Sequence, residues 1–297
     1  MTEPMQTIRC GGRILALADV PVMGILNCTP DSFYAASRVA AGADAALLTR
    51  AEQMLAEGAS FLDVGGYSTR PGAPNVSVAD ERARVVPAIR ALRRAFPAAL
   101  LSVDTFRAAV AQAALDVGAD LINDVTAATA DAAMLPTVAA VPGVPLVLMH
   151  SRGTPQTMHT LTDYGPAGGL LPALLDFFSA RVAAARAHGI ADILLDPGLG
   201  FAKTIAQNYW LLTRLPHLQA ALQLPWLVGL SRKGMTYRPA GLGPGPADAL
   251  PATTALHALA VWHGAAVLRV HDVGAACQAV RATRLARVAE EPSGHRE

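Results

Sequence analysis

The chain has 297 residues, just over half of them apolar, and a formal net charge of +1. That length suits one large α/β core, with a single barrel domain over 1–297, its core spanning about 7–288 and a disordered tail at 289–297. The balanced charge gives no electrostatic case for nucleic acid or an anionic membrane as partner.

Cys10, Cys28 and Cys277 are odd in number and show no CxxC spacing, which implies a reducing, cytoplasmic setting. The apolar run between Ile14 and Leu26 is broken by Asp19 and Pro21, so it reads as neither signal peptide nor membrane span. Lys203 and Lys233 are the only lysines; every other basic residue is arginine. A lysine kept in such a chain points to a need for its compact ammonium.

Along the chain, Gly11-Gly12 between two short apolar runs predicts a hairpin over Thr7–Leu17. Val20–Leu26 suits a strand buried on both faces; it stops at Asn27, ahead of the polar turn Thr29-Pro30-Asp31-Ser32. A helix over Asp44–Ala56 is stopped by Gly58, and the strand Phe61–Val64 leads into a Gly/Ser/Pro loop. Ser77–Ala95 is a helix with Ser77 as cap and Asp80 three residues on.

The alternation then repeats. Strands Leu100–Val103, Asp120–Asn123, Pro145–Met149, Asp192–Leu195, Pro225–Leu230 and Ala266–Val270 are each followed by a polar residue or pair. Helices are expected over Ala108–Val117, Ala132–Ala140, Leu170–His188, Ile205–Leu222 (interrupted near Pro216), Ala252–His263 and Ala275–Val288. About eight strand–helix units are the content of a (β/α)₈ TIM barrel. A doubly wound open sheet is the alternative, but no GxGxxG follows the first strand.

In a barrel the site lies at the C-terminal strand ends. Those ends carry Asn27, Asp63, Asp104, Asn123, His150, Asp196, Lys233, Arg269 and His271. Any one of them could be an ordinary loop residue or helix cap, as Asp124 and Asp272 are expected to be. Together they describe a ligand. Asp104, Asn123 and Asp196 match a flat heterocycle with adjacent ring N–H and amino groups, and Lys233 can donate to its carbonyl or ring nitrogen. Arg269, His271 and Asn27 offer donors for phosphate or pyrophosphate, and Arg70 could clamp the anion or a second substrate. No covalent nucleophile stands out.

The segments MGILNCTPDSF, DVGGYSTRPGA, SVDTFRAAVAQAALDVGADLINDV, LMH, LLDPGLGFAK, VGLSRKG and LRVHDV occur in an order and spacing that resemble the dihydropteroate synthase family, from about Cys10 to Arg287. The resemblance implies a (β/α)₈ barrel that condenses 6-hydroxymethyl-7,8-dihydropterin pyrophosphate with p-aminobenzoate, giving 7,8-dihydropteroate and pyrophosphate. It places Asp104, Asn123, Met149, Asp196, Lys233 and Arg269 around the pterin. Phe33, Thr69, Arg70, Pro71, Phe201 and Ser231 fall on the p-aminobenzoate side. Asn27 is the implied Mg²⁺ and pyrophosphate contact, with Arg269 and His271 on the diphosphate. It further implies a homodimer, a sulfonamide target and lid loops after the first two strands.

The chain departs from the family pattern at three places. Tyr34-Ala35-Ala36-Ser37 replace the usual Ser-Asp-Gly-Gly, Tyr67 stands where many members have Glu, and Ala202 stands where Gly usually precedes Lys203. A left-handed backbone at 202 would make that Ala costly. Two other readings stay open. One is a folate-dependent corrinoid methyltransferase, which would not need the Ser231-Arg232-Lys233 and Ser68–Gly72 elements. The other is a non-catalytic pterin-binding paralogue, supported by the altered first loop.

Overall fold

The computed structural model describes residues 6–28, 42–68, 75–239 and 241–290. Phe33, Thr69, Arg70, Pro71, the first-loop residues Tyr34–Ser37 and the tail from Pro292 lie outside them. The fold begins with the antiparallel pair β1 (Thr7–Cys10) and β2 (Arg13–Ala16). Gly11 and Gly12 both take positive φ, as the twist of a two-residue hairpin requires.

Eight strands among the described residues then form one parallel sheet. They are β3 (Val22–Asn27), β4 (Phe61–Gly65), β5 (Leu100–Asp104), β6 (Leu121–Asp124), β7 (Leu146–Met149), β8 (Ile193–Asp196), β9 (Leu227–Val228) and β10 (Val267–Val270). The order β8-β7-β6-β5-β4-β3-β10-β9 runs round from edge to edge, and a bridge from Leu195 to Trp226 links the two ends into a nearly closed barrel. Around it stand α1 (Gly42–Ala56), α2 (Val78–Ala95), α3 (Ala108–Leu115), α4 (Met134–Ala139), α5 (Leu170–Ala187), α6 (Ile205–Leu212), α7 (Leu215–Leu222), α8 (Leu250–Trp262) and α9 (Val273–Glu290). The predicted TIM barrel with its N-terminal hairpin is the fold.

Alternate residues of each strand face opposite ways, which divides the apolar core in two. The outward residues, such as Leu62, Val64, Val103 and Ile122, pack against helix residues including Val85, Ile89, Leu92 and Val110. The inward set (Met23, Phe61, Leu121, Val147, Leu194, Leu227, Val267) packs with Ile8, Cys10 and Leu17 of the hairpin. The hairpin bonds residues that precede the strands: Arg13 donates to the Ala98 carbonyl, and the Arg9 amide to Asp192. It therefore stoppers the N-terminal end, and the C-terminal mouth is left for a ligand.

Three expectations need correction. The strand read over Pro225–Leu230 is shorter: Leu227–Val228 form the regular strand, Trp226 adds the bridge to Leu195, and the chain beyond turns away at Ser231. The interruption expected near Pro216 is present: α6 ends at Leu212 with Thr213 as its cap, and Pro216 sits in the first turn of α7, where its missing N–H costs nothing. Asp272 stands at the N-cap position of α9, its carbonyl accepting from the Ala276 amide, but its carboxylate oxygens take Arg232, at 2.8 Å each. Asp124 caps a turn rather than a helix, accepting from the amides of Thr126 and Ala128 and the Thr126 hydroxyl. Ser77 does cap α2, accepting from the Asp80 amide at 3.0 Å.

Candidate active site

Moving two residues up each strand from the inward apolar layer reaches the polar one. Phe61 is followed by Asp63, Leu121 by Asn123, Val147 by Met149, Leu194 by Asp196 and Val267 by Arg269. The parallel register holds these at neighbouring levels: Asp63 lies beside Ser102, Gly65 beside Asp104, Asp104 beside Asn123, and Met149 beside Asp196. A dry floor thus carries a ring of hydrogen-bonding groups, each of which needs a partner or a ligand.

One half of the ring is an ion cluster. Arg269 Nε donates to Asp63 at 2.6 Å and its Nη2 to Asp104 at 2.6 Å. Asp63, fully buried, also accepts from Ser102 Oγ at 2.5 Å and from the Asn123 amide at 3.3 Å. Burial raises Asp104 to about 7 against the pull of Arg269, with the Asp63 charge adding to the rise. Burial works against the Arg269 charge, but Asp63 and Asp104 outweigh it and hold the guanidinium firmly protonated. Asn27 and Asp104 lie on either side of Gly65, where a methyl group would sit 3.8 Å from Asn27 Oδ1 and 3.9 Å from an Asp104 oxygen.

The other half is built by the loop after β8. Asp196 accepts from the Gly198 amide at 2.7 Å, and Lys233 Nζ donates to the Leu199 carbonyl at 2.6 Å while lying 4.5 Å from the centre of the Phe201 ring. Asp196, Lys233 and Arg269 converge on Gly229, at whose bare α-carbon a methyl group would meet all three within 4 Å. Burial raises Asp196 against Lys233, and burial lowers Lys233 to about 8 against Asp196. Desolvation thus outweighs the attraction of the pair on both partners. Nearby, Ser231 Oγ accepts from the His271 amide and meets its Nδ1, both at 3.1 Å. Arg232, at φ 53, ties Asp272 to the carbonyls of Pro246 and Ala247, so the Ser231-Arg232-Lys233 turn is braced from behind.

The barrel therefore brings Asn27, Asp104, Asn123, Met149, Asp196, Phe201, Ser231, Lys233, Arg269 and His271 to one mouth. Sequence reasoning placed Asp63 at a strand end but left it out of the ligand set. Its signal was a charged residue inside an apolar strand, two positions above Phe61. Ala202 does take a left-handed backbone, at φ 47, so the strain expected of a non-glycine residue is present.

Comparison with known proteins agrees with this geometry. A family model described as pterin binding enzyme matches residues 23–271. The dihydropteroate synthase of Synechocystis is 45% identical over 259 residues, covering 86% of each chain. The Xanthomonas albilineans dihydropteroate synthase structure with 4-aminobenzoic acid superposes with a TM-score of 0.85 at 38% identity, covering 96% of this chain and 99% of that one. The Burkholderia cenocepacia enzyme complexed with 7,8-dihydropteroate gives 0.84 at 40% identity, covering 97% and 99%. The chain belongs to the pterin-binding enzyme family, among the dihydropteroate synthases.

Proposed function

We propose that this chain condenses 6-hydroxymethyl-7,8-dihydropterin pyrophosphate with p-aminobenzoate to give 7,8-dihydropteroate and pyrophosphate. The observation that carries the reading is the convergence of Asp104, Asn123, Asp196 and Lys233 above an apolar floor, with Arg269 between the carboxylates. A flat ring bearing N–H donors on one edge and a carbonyl on the other satisfies those groups at once. It would also add partners for Asp196 and Lys233 beyond the Gly198 amide and the Leu199 carbonyl.

The reaction asks for a leaving group to be stabilised and a nucleophile to be aimed. The methylene C–O bond breaks with its electron pair leaving on pyrophosphate, and the electron-rich ring spreads the positive charge left behind. Arg269 and His271, on the last barrel strand and just beyond it, are in place to meet charge growing on the diphosphate. The p-aminobenzoate nitrogen then bonds to the methylene carbon and gives up a proton to the departing pyrophosphate or to water. An aryl amine is nucleophilic as it stands, so no strong base is needed. Phe201 and Ser231 fit the p-aminobenzoate side, and Thr69, Arg70, Pro71 and Phe33 are assigned there by family pattern.

Mg²⁺ belongs to the same proposal. No group of three His, Cys, Asp or Glu among the described residues could cage a metal. The Asn27 amide oxygen at the mouth fits a magnesium ion that takes its other ligands from the diphosphate and water. When bound, the ion would neutralise charge on the leaving group. A homodimer is proposed through α8 and α9, which pack together and leave Leu259, Leu285 and Val288 exposed. Light scattering at micromolar concentration returning a monomer would count against it. Three buried, unpaired thiols favour a reducing, cytoplasmic setting, and no helix among the described residues is long and apolar enough to cross a membrane.

The test is pyrophosphate release from the pterin substrate with Mg²⁺, with and without p-aminobenzoate. Release stoichiometric with dihydropteroate is expected. Tight pterin binding with no release would identify a non-catalytic paralogue instead.

A further inference from the structure

Both lysines of this otherwise arginine-only chain end on the same loop. Lys233 takes the Leu199 carbonyl from the site side. From inside the protein, buried Lys203 points its Nζ at three acceptors: His150 Nδ1 at 3.0 Å and the carbonyls of Gly198 and Phe201, both at 3.1 Å. Burial lowers Lys203 to about 7 against the pull of Asp196; in its ammonium form it carries one proton for each of the three acceptors around it. Burial holds His150 down to about 2, so its ring is neutral and Nδ1 is free to accept.

Other polar groups of the loop are committed too. The Gly198 amide bonds Asp196, the Gly200 amide bonds Asn208, the Ala202 carbonyl accepts from Tyr164, and the Lys203 carbonyl accepts from Asn208. The backbone at Ala202 is left-handed and needs holding. What the loop presents to the mouth is the Leu199 carbonyl and the Phe201 ring, the two groups that fix the Lys233 ammonium.

We infer that Lys203 is a positioning residue for the condensation: a buried clasp, formed with His150, that sets the Gly198–Phe201 loop so that Leu199 and Phe201 hold Lys233 and form one wall of the p-aminobenzoate subsite. This inference rests on the proposed function. Arginine cannot replace the clasp, because a planar guanidinium cannot aim three protons at three acceptors converging on one atom. The role acts through the loop and not through charge at the reacting atoms.

The test compares wild type, Lys203→Met and Lys203→Arg by steady-state pyrophosphate release, with circular dichroism confirming the fold at the assay temperature. Both variants are expected to raise the KM for p-aminobenzoate by about tenfold to a hundredfold, the cost of a slightly misplaced binding group, with a rise in the pterin KM no greater than this, since the same loop holds Lys233. A folded Lys203→Met or Lys203→Arg with wild-type KM for p-aminobenzoate would overturn the inference, and so would a larger increase for the pterin substrate than for p-aminobenzoate. If Lys203→Met does not fold, Lys203→Gln is read by the same criteria. Absence of turnover in the wild-type enzyme would instead refute the proposed function, so the two failures are separable.

Discussion

Replacing Asp63 by Asn keeps the shape of a fully buried side chain and removes its charge. In the native protein Asp63 receives Arg269 Nε at 2.6 Å, Ser102 Oγ at 2.5 Å and the Asn123 amide at 3.3 Å. With its oxygen turned to Arg269, the new amide would face Ser102, whose hydroxyl can reverse and accept. The two short bonds then survive as weaker ones. A hydrogen bond to a charged group contributes roughly 1.5–3 kcal/mol and a neutral one about 0.5–1.5, so each loses about 1 kcal/mol. Stranding a buried ion outright costs about 3–5 kcal/mol, but Arg269 keeps Asp104 at 2.6 Å and retains some solvent contact, so this contribution is smaller. A destabilisation of ~2–3 kcal/mol is expected. Urea unfolding at pH 7 measures it as a lower midpoint with an unchanged slope. The Asp104 carboxyl, no longer beside a like charge, should also titrate below its native value of about 7. A loss of under about 0.5 kcal/mol, the range of an ordinary surface change, would refute the reasoning that Asp63 anchors Arg269.

Three further outcomes follow from particular residues. Lys233→Ala and Asp196→Ala should each weaken pterin pyrophosphate binding by ~1.5–3 kcal/mol in titration calorimetry; unchanged affinity in both would remove them from the pterin site. His257, buried on α8 and held by burial at about 4, stays neutral where the unfolded chain takes up a proton. Its contribution to stability is present above pH 6.5 and lost as pH falls toward 4, at up to ~1.4 kcal/mol per pH unit. His257→Leu should therefore lose less stability than wild type between pH 7 and pH 5 in urea unfolding, and equal losses would contradict the shift. Gly198→Ala would drive a methyl group into the His150 carbonyl at a residue with φ 68. A cost of ~2–5 kcal/mol is expected from overpacking plus left-handed strain, and near-native urea stability would show that the loop can give way.

The barrel was legible because strands buried on both faces must be apolar runs, and a parallel sheet must end each run where the chain turns to a helix. The polar residues at those ends stood out against a chain that is otherwise apolar or arginine-rich. What sequence alone determined was therefore the alternation, the hairpin at Gly11-Gly12, the cap at Ser77 and the set of mouth residues, all of which depend on neighbours a few positions away. The corrections came where local signals competed with the closure of the barrel. The run at 225–230 reads as a full strand, yet only Trp226, Leu227 and Val228 pair. Asp272 stands where a helix cap belongs, yet Arg232, forty residues earlier, claims both oxygens.

Only the tertiary structure decided who holds whom. Asp63, Asp104 and Arg269 lie on strands far apart in the chain, and their ion cluster exists because β4, β5 and β10 bring them to adjacent levels inside one barrel. The two lysines looked alike in the sequence. The fold set one in the site and the other behind it, because a buried ammonium goes where acceptors converge, and that convergence is created by the folded loop between them.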